Sequence, residues 1–225
     1  MIRGVLFDMD GVLVDSERQG RDYLVGTSQR LGYPMTNEDF SHLLGLTHAA
    51  SRAYLLDFYG PEYPYDQVYS TFHQQLLEDA RTGRLPVKKG VAECFQGLKQ
   101  RGVRTALATS SPREIVEQYI AGLPALQGVL DEIICGPEVA HSKPAPDIYL
   151  EAARRLGLSP AECIGVEDSR AGVRSLRAAG VVSVMVPDLI PFGPDEAPFV
   201  DHCLPDLTCL CPLIDRINLD AKVRG

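Results

Sequence analysis

The sequence predicts an α/β fold, a doubly wound parallel sheet with an all-helical domain inserted into it. Five short segments are almost continuously apolar, as expected of strands that are covered on both faces. Segments with helical spacing alternate with them, and this alternation is typical of a doubly wound sheet. Residues 16–84 interrupt the alternation, because they contain helical patterns and no convincing strand.

The predicted strands are Val5–Phe7, Val103–Ala108, Glu132–Cys135, Cys163–Val166 and Val181–Val186. The helices beside them are predicted over Val91–Arg101, Pro112–Ala121, Ile148–Leu156 and Arg170–Ala179. We expect Ser111 to start the second of these helices as a capping box with Glu114, and Asp147 to cap the third. Glycines are placed to end three helices, at Gly102, Gly157 and Gly180.

The inserted block has apolar residues at helical spacing in four segments, Tyr23–Leu31, Phe40–Leu44, Ala49–Phe58 and Val68–Leu77. It holds seven of the nine Tyr and three of the seven Phe, which we interpret mainly as the core of a small domain. The predicted domains are therefore residues 1–15 with 85–225, and residues 16–84. The proline-rich tail after Pro187 is expected to wrap the edge of the sheet before a short helix at Leu213–Ile217.

The charge balance argues against two kinds of partner. The chain has 22 Lys and Arg against 30 Asp and Glu, a formal net charge of −8. Such a chain has no general attraction for nucleic acid or for an anionic membrane surface. No apolar segment approaches the roughly 18 residues that span a bilayer, and Asp8 interrupts the apolar N-terminus too early for a secretion signal.

The six cysteines are interpreted as free thiols, and we expect a cytoplasmic protein. Cys209 and Cys211, with His202 and Cys203 nearby, could form a zinc site. They lack two well-spaced ligand pairs, so ordinary packing is the favoured interpretation.

Chemically useful side chains follow each of the first four predicted strands, at the sheet edge where open α/β folds bind ligands. Asp8 and Asp10 follow the first strand and Thr109-Ser110-Ser111 the second. After the third strand comes Ser142-Lys143-Pro144-Ala145-Pro146-Asp147, in which two prolines fix the backbone around a single lysine, Lys143. Glu167 and Asp168 follow the fourth and suit Mg²⁺, which prefers oxygen ligands.

Each of these signals has an ordinary structural explanation, such as a turn, a helix cap or an exposed lysine. Their conjunction at one edge favours phosphoryl transfer, which needs a nucleophile, a proton donor, hydroxyl and N–H groups for the phosphate, a positive charge and a metal.

Four motifs carry a resemblance to a known family: Asp8-Met9-Asp10-Gly11-Val12-Leu13-Val14-Asp15-Ser16, Ala108-Thr109-Ser110-Ser111, the Lys143 segment, and Ile164-Gly165-Val166-Glu167-Asp168-Ser169. In order and spacing the chain resembles the haloacid dehalogenase superfamily over essentially its whole length. It is similar to the branch with a helical cap after the first strand, which includes β-phosphoglucomutase and small-metabolite phosphatases. The resemblance implies a Rossmann-like core, a cap formed by residues 16–84, and a small phosphate ester as substrate.

The resemblance also implies a role for each motif residue. Asp8 would be the nucleophile that forms a phosphoaspartyl intermediate, and Asp10 the general acid and then the general base. Mg²⁺ would be held by Asp8, the backbone carbonyl of Asp10 and Asp168, with Glu167 directly or through water. The substrate phosphate would be bound by Thr109, Ser110 and Lys143, the last of which balances charge.

Dehalogenases of the superfamily lack an aspartate equivalent to Asp10 and need no metal, so the resemblance argues against that chemistry. Asp15 and Ser16 are expected to have a structural role at the hinge into the cap.

The cap is expected to distinguish a phosphatase from a mutase. In mutases resembling β-phosphoglucomutase, a basic pair beside a Gly-x-Ser/Thr segment binds a second phosphate. In this chain Gly45 and Thr47 keep that segment, but Leu44 stands where a Lys is expected and His48 where an Arg is expected. Gly20 occupies a position that holds a His in that enzyme.

His48 and Arg52 could still contribute to a second anion site, so mutase activity stays the alternative to the favoured hydrolysis. A phospho-accepting regulatory domain or an inactive binding protein is a more remote alternative. Receiver domains are about half this length and have no inserted helical block, and no motif residue is missing here. We expect a monomer.

Overall fold

β1 (Gly4–Phe7) lies in the middle of a six-stranded parallel sheet in this computed structural model, which describes residues 1–44, 46 and 48–224. The other strands are β2 (Arg104–Thr109), β3 (Glu132–Cys135), β4 (Cys163–Glu167), β5 (Val182–Met185) and β6 (His202–Cys203). Their spatial order is β3-β2-β1-β4-β5-β6. Phe7 pairs with Leu107 on one side and with Val166 on the other, so the residues that follow these three strands meet at one edge.

The sheet is covered on both faces by helices. These are α5 (Val91–Gln100), α6 (Arg113–Gly122), α7 (Asp147–Arg155), α8 (Arg170–Ala179) and α9 (Leu210–Arg224). Successive residues of β1 point to opposite faces. Val5 and Phe7 accordingly pack in a cluster with apolar residues of α5, α6 and α9, and Leu6 in a cluster with those of α7 and α8. The predicted fold class is confirmed.

Residues 16–84 form α1 (Ser16–Arg30), α2 (Asn37–Ser41), α3 (His48–Tyr59) and α4 (Tyr65–Arg81). Most of their aromatic side chains pack with Leu24, Met35 and Leu55 in an apolar cluster separate from those of the sheet, whereas Phe58 is exposed. The C-terminal part of α4 is different, because Leu76 and Ala80 belong to the sheet's own cluster. We retain the division at residues 15 and 85 as a proposal, with α4 joining the two parts.

Two chain segments connect the helical insertion to the sheet, and they run side by side. Val14 forms a bridge with Val87, and the Asp15 N–H donates to the carbonyl of Pro86 at 2.8 Å. The hinge expected near Asp15 would therefore include two hydrogen-bonded chain segments, the one that enters the helical insertion and the one that leaves it.

Four local expectations were wrong. Pro112, not Ser111, precedes α6, and the Ser111 hydroxyl bonds to Asp10. Asp147 is the first residue of α7 and binds the His141 ring instead of capping the helix. The last helix is much longer than predicted, and the two-residue strand β6 was not predicted at all.

Three glycine positions behave as expected, since Gly102, Gly157 and Gly180 follow the last residues of helices with φ between 64° and 72°. Several loops contain a single turn of 3-10 helix, at Pro124–Leu126, Gly136–Glu138, Pro160–Glu162, Ala197–Phe199 and Leu207–Cys209.

The contact between α4 and α6 leads to a stability prediction. A Cβ on Gly122 would lie 1.8 Å from the carbonyl oxygen of Ala80. The atoms that it would meet belong to the backbone of α4, so no side-chain rotation can relieve the clash. We expect Gly122→Ala to lower the free energy of unfolding by about 1–3 kcal/mol, measured by urea denaturation.

Gly26→Ala is the matched control, because Gly26 lies inside α1 with only the end of Arg30 near its missing Cβ, at 3.5 Å. That change should stabilise the protein by roughly 0.5–1 kcal/mol. Equal effects of the two substitutions would show that the α4–α6 contact is not tight.

Candidate active site

Lys143 ties the ends of three strands together at the carboxyl edge of the sheet. Its Nζ donates to Asp8 Oδ1 at 2.7 Å, to Glu167 Oε1 at 2.6 Å and to the carbonyl of Ala108 at 3.0 Å. Its side chain is only 7% exposed, so these bonds form in a poorly hydrated environment, where they are strong. The lysine predicted from the proline-flanked loop is therefore an internal charge and not a surface one.

Glu167 is fully buried and held by donors from several directions. The Tyr149 hydroxyl donates to Oε1 at 2.6 Å, and the Ser169 hydroxyl donates to Oε2 at 3.0 Å. The N–H groups of Asp168 and Ser169 also donate to Oε2, at 3.2 and 3.3 Å. A Cβ on Gly172 would lie 1.8 Å from Cδ of Glu167, so this carboxylate fits only beside a glycine.

Asp8, Glu167 and Asp168 each offer a carboxylate oxygen, and these oxygens lie within 4.8 Å of one another. Burial raises the pKa of Asp8 to about 7, with Glu167 and Asp10 adding to the rise and Lys143 opposing it. Burial, followed by Glu167 and Asp8, also raises the pKa of Asp168. Crowded carboxylates of this kind fit a divalent cation such as Mg²⁺, because the cation would offset their repulsion with oxygen ligands.

Gly11 makes the turn after Asp10 possible. Its φ of 75° is in the left-handed region, and a Cβ there would lie 2.0 Å from Asp168 Oδ2. The glycine thus lets the β1 loop and the β4 end approach closely enough for Asp8 and Asp168 to share one site.

Asp10 is oriented by two hydroxyl groups and lies outside the three-carboxylate cluster. Ser16 donates to Oδ1 at 2.5 Å and Ser111 to Oδ2 at 3.3 Å. Burial raises the pKa of Asp10, and the two hydroxyl groups partly oppose that rise. Ser16 therefore contacts Asp10, beyond the hinge role expected for it.

Asp8, Asp10, Thr109, Ser110, Lys143 and Asp168 all line one cavity of about 390 Å³, named here the Asp8 pocket. Thr109 is 1% exposed, and its Oγ1 accepts from the N–H of Ser111 at 3.1 Å. The structure therefore brings these predicted strand-end residues together around one cavity.

The cap candidates are placed differently from one another. Leu44 lines the Asp8 pocket together with Leu46. The His48 ring packs against Tyr65 and Tyr69, with centroids 5.2 and 4.1 Å apart. Arg52 Nε lies 3.5 Å from Asp66 Oδ1, and neither it nor His48 lines the pocket as described. Gly45 and Thr47 lie outside the described residues.

Sequence reasoning missed several residues of the site. Glu17 lines the Asp8 pocket, and its pKa is raised to about 7 by burial, with Asp10 and Asp188 adding to the rise. Leu189 and Ile190 contribute an apolar wall, and Tyr149 binds Glu167 from α7. Glu17 directly follows the first motif and could have been found there, whereas the contact of Tyr149 has no sequence signal.

Comparison with known proteins identifies the family. Residues 2–180 match the family model described as haloacid dehalogenase-like hydrolase. The chain is 35% identical to protein CbbY of Rhodobacter capsulatus over 92% of this chain and 94% of that protein. This chain belongs to the haloacid dehalogenase-like hydrolase family. The predicted family membership and hydrolase class are confirmed.

Two further proteins are similar to this chain. A phosphorylated carbohydrates phosphatase of Thermotoga maritima is 27% identical, over 80% of this chain and 82% of that protein. The crystal structure of a CbbY mutant from Rhodobacter sphaeroides in complex with xylulose-(1,5)bisphosphate superimposes with a TM-score of 0.75 at 25% identity, covering 92% and 95% of the two chains.

Other expectations can be compared with the described residues. No helix among them is long and apolar enough to cross a membrane. All six cysteines are free thiols. In the part of the chain that the structure describes, the only cluster of potential metal ligands is that of Asp8, Glu167 and Asp168, so the zinc alternative gains no support.

From the hydrogen bond between Tyr149 and Glu167 we expect two Tyr→Phe substitutions to lower the free energy of unfolding by different amounts. Tyr149→Phe removes a donor from a buried carboxylate and should lower the free energy of unfolding by about 1.5–3 kcal/mol. Tyr63→Phe is the comparison, because it removes a 2.7 Å hydrogen bond between the buried, neutral hydroxyls of Tyr63 and Ser28. It should lower the free energy of unfolding by about 0.5–1.5 kcal/mol. Equal losses in urea denaturation would mean that the Tyr149 bond to Glu167 is no stronger than a bond between two neutral hydroxyls.

Proposed function

We propose that this hydrolase is a Mg²⁺-dependent phosphatase of small phosphate monoesters, acting through a phosphoaspartyl intermediate on Asp8. One observation carries the proposal: the Asp8 pocket is lined by Asp8, which Lys143 fixes, by Asp10, which hydroxyl groups hold, and by Asp168, which with Asp8 and the adjacent Glu167 forms a carboxylate cluster suited to a cation. This set meets the requirements of phosphoryl transfer, which depends on positioning and on compensating charge.

The proposed reaction has two steps. A carboxylate oxygen of Asp8 attacks phosphorus, the bond from phosphorus to the ester oxygen breaks, and Asp10 gives its proton to the leaving alcohol. Water then attacks the phosphorus of the aspartyl phosphate, and Asp10 takes a proton from that water. The bond from phosphorus to the Asp8 oxygen breaks, which releases inorganic phosphate and regenerates the Asp8 carboxylate. The bonds from Ser16 and Ser111 keep the Asp10 carboxyl in position for both transfers.

Asp8, Asp168 and the backbone carbonyl of Asp10 would hold Mg²⁺, with Glu167 nearby. The ion would supply positive charge against the phosphoryl oxygens and the carboxylates. Lys143 supplies further positive charge through its bond to Asp8, and Thr109 and Ser110 offer hydroxyl groups to the phosphate.

The relatives support a phosphorylated sugar as the substrate class. One is named a phosphorylated carbohydrates phosphatase, and a CbbY structure contains xylulose bisphosphate. We extend that class to this chain, and we propose, as expected from its sequence, that it acts as a monomer in the cytoplasm.

Hydrolysis is favoured over the mutase reaction by the walls of the Asp8 pocket. Among the described residues that line it, Lys143 is the only Lys or Arg, and it is already bonded to Asp8 and Glu167. Leu44, at the sequence position where a mutase is expected to have a Lys, lines the pocket together with Leu46 and offers no charge to a second phosphate. A sugar bisphosphate intermediate would therefore be poorly bound.

The wild-type protein should release phosphate from sugar phosphates in the presence of Mg²⁺ and stop when EDTA removes the metal. Asp8→Asn should retain less than a few per cent of that rate, because the amide is a poor nucleophile. The variant should unfold at the same or a higher urea concentration, since the change is nearly isosteric and removes one charge from a crowded cluster. Turnover above a few per cent would show that the nucleophile is a different residue.

Asp10→Asn should affect esters according to their leaving group. A hexose 6-phosphate should react about 10²–10⁴ times more slowly, because its alkoxide needs a proton. p-Nitrophenyl phosphate should still phosphorylate Asp8 quickly and give a burst of one equivalent of p-nitrophenol before slow turnover. Equal slowing of both first steps would argue against Asp10 as the general acid.

A further inference from the structure

Cys94 on α5 and Cys211 on α9 are 117 residues apart in the chain and lie side by side in the structure. Cys211 Sγ lies 3.7 Å from the carbonyl oxygen of Cys94, and the two thiols share a hydrogen bond. Gly97 allows this approach, because a Cβ there would lie 2.7 Å from Cys211 Sγ. Both thiols are free, and the described residues that line the Asp8 pocket do not include them, so the proposed reaction gives this cysteine pair no role.

The packing of α5 against α9 keeps the cysteine pair together. Phe95 and Leu98 of α5 are buried in the same apolar cluster as Leu213 of α9. Arg101, which directly follows α5, forms two hydrogen bonds to Asp215 on α9, at 2.8 and 2.6 Å. Apolar contacts and an ion pair thus hold the two helices in register. We therefore expect a bond between the two sulfurs to need only side-chain rotation and no displacement of either helix.

The two thiols of the pair have different surroundings. Cys94 is 2% exposed, whereas Cys211 is only partly buried and is the second residue of α9, where the helix dipole favours a thiolate. The hydrogen bond from Cys94 lowers the pKa of Cys211 to about 7, and Arg101 adds to the fall while burial opposes it. The same hydrogen bond, followed by burial, raises the pKa of Cys94. Because the thiolate is the nucleophile toward oxidants, Cys211 should react first and Cys94 second.

We propose that Cys94 and Cys211 are a modification site at which a hydroperoxide forms a reversible disulfide. Cys211 is the residue that is oxidised first, and Cys94 is the residue that resolves the oxidised form. This inference does not depend on the proposed phosphatase activity, because neither cysteine takes part in that reaction.

The oxidation has two steps. The sulfur of Cys211 attacks one oxygen of hydrogen peroxide, an S–O bond forms, the O–O bond breaks, and the other oxygen leaves as water. The sulfur of Cys94 then attacks the sulfur of the Cys211 sulfenic acid, an S–S bond forms, the S–O bond breaks, and a second water leaves. The two thiols together lose two electrons and two protons, and one hydrogen peroxide is reduced to two waters.

The disulfide would have a measurable effect on stability. It would close a loop across 117 residues and tie α9 to α5. Such a cross-link restricts the unfolded chain more than the folded one, so it stabilises the fold. Oxidation of the wild-type protein should raise the midpoint of thermal unfolding by about 5–10 °C, and dithiothreitol should reverse that rise. Cys211→Ser should show no such rise.

The direct test treats the whole reduced protein with a small excess of hydrogen peroxide, blocks the remaining thiols and identifies cross-linked tryptic peptides by mass spectrometry. The peptide over 90–99, whose one cysteine is Cys94, should be joined to the peptide over 178–216. The second peptide contains Cys203, Cys209 and Cys211, so variants assign the partner. Cys211→Ser should lose the cross-link. Cys209→Ser is the matched control, because Cys209 is two residues away and also only partly buried, and this variant should keep the cross-link.

Cys94→Ala tests the order of the two steps. Without the resolving thiol, the sulfenic acid should persist on Cys211 and be trapped by dimedone, which reacts with sulfenic acids. Cys211→Ser should give no dimedone adduct on Cys94, because that thiol is buried and keeps its proton.

Three results would overturn the inference. Hydrogen peroxide could leave the wild-type protein without the cross-link, or the cross-link could persist in Cys211→Ser. The linked peptides could also be found only in covalent dimers, which would show that the two sulfurs of one chain do not meet.

Discussion

The main constraint on the site is that several carboxylates are buried close together, so that other groups must offset their mutual repulsion. Asp8, Glu167 and Asp168 approach within 4.8 Å, and Asp10 is close enough to raise the pKa of Asp8. Two like charges 4 Å apart repel by about 4 kcal/mol at an effective dielectric constant of about 20. Lys143 offsets part of this repulsion through its bonds to Asp8 and Glu167. Under the proposed reaction, a cation would offset the remaining negative charge when an anionic phosphate ester binds.

The sheet topology determines where that charge collects. β1 lies between β2 and β4, and the strand order reverses at this point, which is where open α/β sheets bind ligands. Glycines allow the closest approaches, since Gly11 makes room for Asp168 and Gly172 for Glu167. The same helix α7 that covers the sheet also supplies Tyr149 to Glu167, so packing and charge placement rest on one element.

Features that depend on continuous burial were predictable from the sequence. The five predicted strands agree with β1–β5 to within one or two residues, because strands covered on both faces are apolar throughout. β6 could not be predicted this way, since His202 is only partly buried and Cys203 is exposed. The last helix was predicted too short because its C-terminal half is mostly polar and exposed, which leaves no apolar periodicity to read.

Local rules failed where a distant residue offered a better partner. The spacing of Ser111 and Glu114 fits a capping box, yet the Ser111 hydroxyl binds Asp10, which is brought near only by strand pairing. His48 has the expected position along the chain for a cap contact, but α3 directs its ring toward Tyr65 and Tyr69. Tyr149 carries no motif, because its bond to Glu167 arises from helix packing across a long sequence separation.

This difference explains why chemistry is easier to read from this sequence than specificity. The strand-end residues contact only the phosphate and the metal under the proposed reaction, and every phosphate ester presents the same groups to them. Gly20 on α1 and His73 on α4 line a cavity beside Asp10, and the alcohol part of the ester would lie on this side under the proposed reaction. A change at either position leaves Asp8, Lys143 and Asp168 untouched. Substrate choice can therefore diverge within the cap while the four motifs stay the same, and a comparison of motifs alone cannot identify the substrate.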